Sequence, residues 1–205
     1  MSEQDQNTEA RREYFRIDDQ VLLSVRPVDV AEAAELASQI NERIPDRKVP
    51  DRFAVTASFA VNSRAMARLL HGISTDSPDV ARYLKLMDQK LNQLARLFVL
   101  DEVENGDYPQ LEVNISAGGL VFPSRVAFPP EALLETRIIL LPNLTGILTV
   151  ARVVYCEAAA DPGDFPWRVS VEYLHIRESD RDLLCSHIML RETELLRRQR
   201  GEDEE

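Results

Sequence analysis

Leu111-Glu112-Val113-Asn114-Ile115-Ser116-Ala117-Gly118-Gly119-Leu120-Val121-Phe122 is the stretch that decides the fold. Leu111, Val113 and Ile115 alternate with Glu112 and Asn114, the period-two pattern of a strand with one buried face. Gly118-Gly119 marks a bend or bulge, and Leu120-Val121-Phe122 resumes as strand. Downstream, Thr136–Leu141, Ile147–Cys156 and Phe165–Leu174 read as further strands, separated by turn-prone Pro142–Gly146 and Asp161–Asp164. Upstream, Val21–Val25 reads as a strand whose continuation Pro27 limits. The pattern predicts a mainly β protein, a small antiparallel barrel with added helices.

Between the first strand and the Leu111 strand the periodicity is helical. Val30, Ala33, Ala34, Ala37, Ile40 and Ile44 recur at helical spacing before Pro45. A second helical pattern covers roughly 60–70 and ends near His71-Gly72. Ser77-Pro78-Asp79 then places a cap, a first-turn proline and an acid in the order a helix start favours. Val80, Leu84, Met87, Leu91, Leu94 and Phe98 follow at alternating steps of four and three, the seam of a coiled coil. Tyr83, Leu86, Leu97 and Leu100 widen that face, and Asn105-Gly106-Asp107 stops the helix. At the C-terminal end, Ser179 and Asp182 read as a capping pair opening a helix in which Leu184, Ile188 and Leu195 share a face.

Composition sets limits on partners. Lys plus Arg is 24 and Asp plus Glu is 35, a net charge of −11 in 205 residues. That balance argues against salt-driven binding to long nucleic acid, which needs many cations facing phosphates. It leaves room for a small anion held by a local arginine cluster. Cys156 and Cys185 form no disulfide framework, and no apolar run approaches the roughly 20 residues that span a bilayer. The expectation is a cytoplasmic protein with no membrane insertion. His71, His175 and His187 are scattered and give no zinc-like spacing, so no metal or cofactor is expected. No Ser-His-acid order, P-loop or G-x-G-x-x-G occurs, and the chain reads as a binding protein rather than an enzyme. Trp167 reads as a packed strand residue.

Two short motifs carry the chemistry. Arg11-Arg12-Glu13-Tyr14-Phe15-Arg16 contains R-x-x-x-R. A spacing of four puts Arg12 and Arg16 on one side in either helix or strand. Two guanidinium forks suit phosphate oxygens and the edge or face of a guanine. Asn114-Ile115-Ser116-Ala117-Gly118-Gly119 is N-x-S-x-x-G. On one strand Asn114 and Ser116 point to the same face, where both offer hydrogen bonds to a ligand. Gly119 permits close approach of the backbone.

The two motifs in this order, the strands after the second, and the end Val171-Glu172-Tyr173-Leu174 … Asp180-Arg181-Asp182-Leu183-Leu184 … His187-Ile188 resemble the PilZ domain family. The resemblance covers residues 9–27 and 109–200. It implies a six-stranded antiparallel PilZ-type β-barrel with a C-terminal helix, and a bacterial receptor for cyclic di-GMP. Residue by residue, Arg12 and Arg16 would meet phosphate and guanine with Arg11 assisting. Asn114, Ser116, Gly118 and Gly119 would line the opposite wall. The implied organisation is a tail at 1–10, one domain at 11–200 interrupted by a long helical insertion at 28–106 after the first strand, and an acidic tail at 201–205. That insertion departs from the usual spacing of the motifs. It resembles an atypical subgroup in which inserted helices drive oligomerisation. Two functions follow as expectations: a receptor that docks its N-terminal arm on cyclic di-GMP and changes its contacts with an unknown downstream protein, or a non-binding scaffold assembled as a dimer or tetramer through the heptad helix.

Overall fold

The computed structural model describes residues 15–41, 69–70, 72–104, 108–142, 144–161 and 163–202. Six strands close an antiparallel barrel: β1 (Arg16–Val28), β2 (Gln110–Ser116), β3 (Gly119–Ser124), β4 (Leu133–Leu140), β5 (Thr145–Ala158) and β6 (Trp167–Ile176). Around the barrel the order is β1-β2-β3-β6-β5-β4, with β4 returning to β1. Helix α1 (Val30–Asn41) and helix α2 (Pro78–Glu104) lie between β1 and β2 in the chain, and helix α3 (Glu178–Glu202) follows β6.

Alternation fills the barrel. Ile17, Val21 and Leu23 of β1 face inward with Leu111, Val113 and Ile115 of β2 and Leu120 and Phe122 of β3. Ile138, Ile147, Ala151, Val169 and Val171 are among the residues of β4, β5 and β6 that join the same core. Helix α3 adds Leu184 and Ile188 to it, at a spacing that puts both on one helical face. Full burial of each such side chain contributes on the order of 1.5–3 kcal/mol.

Strand β1 runs well past the expected Val21–Val25 and through Pro27 to Val28. Pro27 is tolerated because the ladder with β2 ends at Leu22, so the last part of β1 pairs with β4 alone. A missing N–H there costs no ladder bond on the open side.

Helix α1 opens with a capping box that the apolar pattern hides. Asp29 Oδ1 accepts from the Glu32 N–H at 2.8 Å, and Glu32 Oε2 accepts from the Asp29 N–H at 3.3 Å. Its buried stripe is Ala33, Leu36, Ala37 and Ile40, of which Ala33, Leu36 and Ile40 pack with Val150. Val30 and Ala34, expected on that face, are exposed. Arg26 ties the helix start to the barrel by bonding Glu32 and, on β4, Glu135. Arg177 Nε donates to the Ile40 carbonyl at 2.9 Å and fastens the other end. Ile44, Pro45 and most of the second helical pattern lie outside the described residues, and helical conformation continues over 72–76, beyond the expected end at His71-Gly72.

The capping pair expected at Ser179 and Asp182 does not form. The N–H groups of Asp180 and Arg181 instead donate to the Arg177 carbonyl, and the Ser179 hydroxyl donates to Asp180. The turn into α3 closes through the backbone, so the helix starts two residues earlier than a cap at Ser179 would set it. Among the described residues no helix is long and apolar enough to cross a membrane.

Candidate functional site

Strand register brings the two motifs together. Arg16 is opposite Ser116 and Asp18 is opposite Asn114 on neighbouring strands, although some hundred residues separate them in the chain. Arg16 Nε donates to Asn114 Oδ1 at 2.8 Å, and Asn114 Nδ2 donates to Asp18 Oδ1 at 2.8 Å. Both ends of the Asn114 amide are therefore oriented, and the Arg16 guanidinium lies exposed across the β1–β2 seam. Arg11 and Arg12 lie outside the described residues.

The glycine bend is built by Ser116. Its hydroxyl accepts from the N–H of Gly118 at 3.3 Å and of Gly119 at 3.1 Å, and donates to the Gly119 carbonyl at 3.1 Å. Ser116 is buried, so its hydroxyl shapes the β2–β3 turn from inside. The Gly118 carbonyl accepts from the Tyr173 N–H at 2.9 Å. Gly119 lies directly against β6: a Cβ there would stand 2.3 Å from the Val171 carbonyl oxygen. The motif thus needs serine to fold the turn and glycine to let β3 approach β6.

Beside Asn114 a groove of about 470 Å³ crosses the outside of the barrel, lined in part by Asp18, Glu112, Phe165, Trp167 and Arg168. Trp167 is half-buried, packing against the core and also facing this groove. Carboxylates predominate over cations here, whereas the arginine side of the site is the cationic one. No group of acids, histidines and cysteines suited to a metal ion occurs among the described residues.

Beneath the site lies a buried polar junction that alternation alone does not announce. Asp19 follows Asp18 and points inward, with its side chain 1% exposed. His187 Nε2 is 2.6 Å from Asp19 Oδ2, while Arg191 donates through Nε and Nη2 to Asp19 Oδ1 at 3.0 and 2.9 Å. Burial pushes the Asp19 carboxyl up, but the hydrogen bonds and charges of His187 and Arg191 outweigh it and hold it below the usual carboxylate range. The readable signal was an acid at an inward position between Ile17 and Val21.

The heptad residues fall on α2 and leave a face open. Val80 is 51% exposed, Met87 41%, Leu91 41% and Leu94 54%, with Leu84 half-buried and Tyr83 and Leu86 also exposed. The Phe98 side chain lies outside the described residues.

Residues 94–190 match the family model of the PilZ domain. The match starts within α2, takes in the N-x-S-x-x-G motif and leaves out β1 with its arginine motif. Among solved structures, the chain resembles a pathogenic protein from Xanthomonas campestris, a tetrameric PilZ domain self-assembled via a helical bundle. The identity is 16% over 94% of each chain, with a TM-score of 0.51. It also resembles an inhibitor of motility from Bacillus subtilis at 15% identity and a TM-score of 0.45, covering 90% of this chain and 52% of that one. No curated protein matches.

Proposed function

We propose, from the premise that the chain is a PilZ-domain protein, that it is a cytoplasmic receptor for cyclic di-GMP. The observation that carries the reading is the Arg16–Asn114–Asp18 chain of hydrogen bonds, which joins the two motifs into one surface. Arg16 and the preceding Arg12 supply guanidinium forks for phosphate and for the O6/N7 edge of guanine. The carboxylates beside Asn114 suit the N–H donors of a guanine and disfavour phosphate. The ligand's charge therefore falls on the arginine side and a base on the groove side. Gly119 lets β3 close against β6 and so holds the bend that follows Asn114. Ligand bridges Arg11 and Arg12 to the barrel, and the docked arm alters the contacts offered to a downstream protein.

Calorimetric titration with cyclic di-GMP tests this. A good bidentate arginine–guanine pair contributes about 1–3 kcal/mol, so Arg12→Ala and Arg16→Ala should each weaken binding roughly tenfold or more. The double variant should show no heat. Wild-type protein that releases no heat and gains no thermal stability at high ligand concentration would defeat the reading.

A second reading, assembly through α2, is favoured by the open face of Val80, Met87, Leu91 and Leu94. A sustained heptad left uncovered by its own barrel suits a helix of a second copy, and the Xanthomonas campestris protein of similar fold assembles via a helical bundle. Replacing Leu91 and Leu94 by lysine should reduce the mass measured by light scattering to that of one chain. An unchanged mass would remove α2 from the interface. The two readings are compatible, since a receptor can also assemble.

A further inference from the structure

Both motif-bearing segments are fastened from beneath to the same helix. On β1, three residues beyond Arg16, the inward Asp19 is held by His187 and Arg191 of α3. At the other motif, Arg181 Nη1 donates to the carbonyl oxygen of Ala117 at 2.8 Å. Ala117 is the residue between Ser116 and Gly118, at the bend itself. Arg181, Leu184, Ile188 and Arg191 recur at steps of three and four, so they share one face of α3. The two apolar residues seat that face in the barrel core, and the two arginines hold Asp19 of β1 and the Ala117 carbonyl on either side.

A third group meets there. The Tyr173 N–H bonds the Gly118 carbonyl, and its phenol is buried. That hydroxyl has no hydrogen-bond partner among the described residues. A helix needed only to close the barrel would require Leu184 and Ile188. It would not require donors aimed at Asp19 and at the Ala117 carbonyl.

We propose that α3 is the positioning and output element of the nucleotide site. Arg181 sets the height of the glycine bend, the Asp19–His187–Arg191 junction sets the start of β1, and ligand binding tightens the hold of the helix in return. The return effect is a thermodynamic necessity: if docking of α3 raises affinity, ligand must favour docking by the same factor. The ligand half of the inference rests on the receptor reading above; the positioning half does not.

Amide hydrogen exchange on the full chain, with and without cyclic di-GMP, separates the two. In ligand-free protein, Arg181→Ala should speed exchange over 114–119 while β4 and β5 keep their protection, showing that the barrel stays folded. Its affinity for cyclic di-GMP should fall about tenfold, within the usual range of coupling between sites, and Arg181→Lys should recover part of both effects. Should Arg181→Ala fail to fold, Arg191→Gln provides the parallel measurement over 16–19. In the wild type, ligand should slow exchange over 180–191, and in Arg181→Ala that slowing should be lost. Unchanged exchange at 114–119 in the variant would overturn the positioning role whatever the ligand does. Binding that leaves 180–191 unaffected would overturn the output role while the receptor reading stands. Absence of binding by the wild type would instead defeat the receptor reading, and the output role with it.

Discussion

Asp19→Ala is expected to cost about 3–5 kcal/mol of folding stability, the range found when one partner of a buried ionic group is removed. Asp19 is almost fully enclosed, and His187 is nearly as buried, so deletion leaves ring and guanidinium donors facing an emptied site. Arg191 is partly exposed and can turn to water, so most of the loss arises at His187. For a chain of this size each kcal/mol shifts Tm by about 2–4 °C, which predicts a fall of roughly 6–20 °C. A variant melting within a degree or two of the wild type would show that the junction holds nothing.

The same carboxylate predicts the direction of the acid response. Its folded-state pKa is depressed, so its contribution is complete above the unfolded carboxylate value of about 3.9 and is lost as pH falls through the folded value. The stability gap between wild type and Asp19→Ala should therefore hold near neutrality and narrow below about pH 4. Denaturant melts of both proteins from neutral to acidic pH measure that gap. A gap that widens on acidification would contradict the assignment of charge to Asp19.

The strands after Gly119 were legible because their apolar and β-branched residues come in short runs bounded by turn-prone residues. β1 was only half legible for a reason rooted in its neighbours. Arg16, Asp18 and Gln20 face outward as the period requires, but Asp19 breaks the apolar inward series. Its partners lie 168 and 172 residues further along the chain, beyond anything a local pattern can report. Asn114 and Arg16 were legible as motif residues, and the register that pairs their strands brings them together. The inward turn of Ser116 was not, because a hydroxyl serves a ligand or a backbone bend equally well until its burial is known. The capping box of Asp29 and Glu32 was readable in principle, being local, but sits directly behind the strand residues that drew the boundary elsewhere.

Gly119→Ala brings the two levels together, because it strikes fold and site at one atom. The added Cβ would meet the Val171 carbonyl oxygen at 2.3 Å and the Glu172 Cα at 3.3 Å. Both are backbone atoms in the β3–β6 ladder, where Gly119 pairs with Glu172, so no side chain can swing aside. Relief requires β3 to lift from β6. β3 is the strand through which β2 connects around the barrel to β6, and the Ser116 bend sits on its first residue. The expected cost is about 3 kcal/mol, the upper part of the range for overpacking a closed site, or roughly 6–12 °C in Tm. The lifted bend also displaces Asn114 relative to Arg16, so cyclic di-GMP affinity should fall in whatever fraction remains folded. Thermal melting with calorimetry on the same sample reads both effects. An alanine variant with wild-type Tm would mean that β3 and β6 can separate at this point without cost, and the close approach at Gly119 would then explain nothing about why the motif ends in glycine.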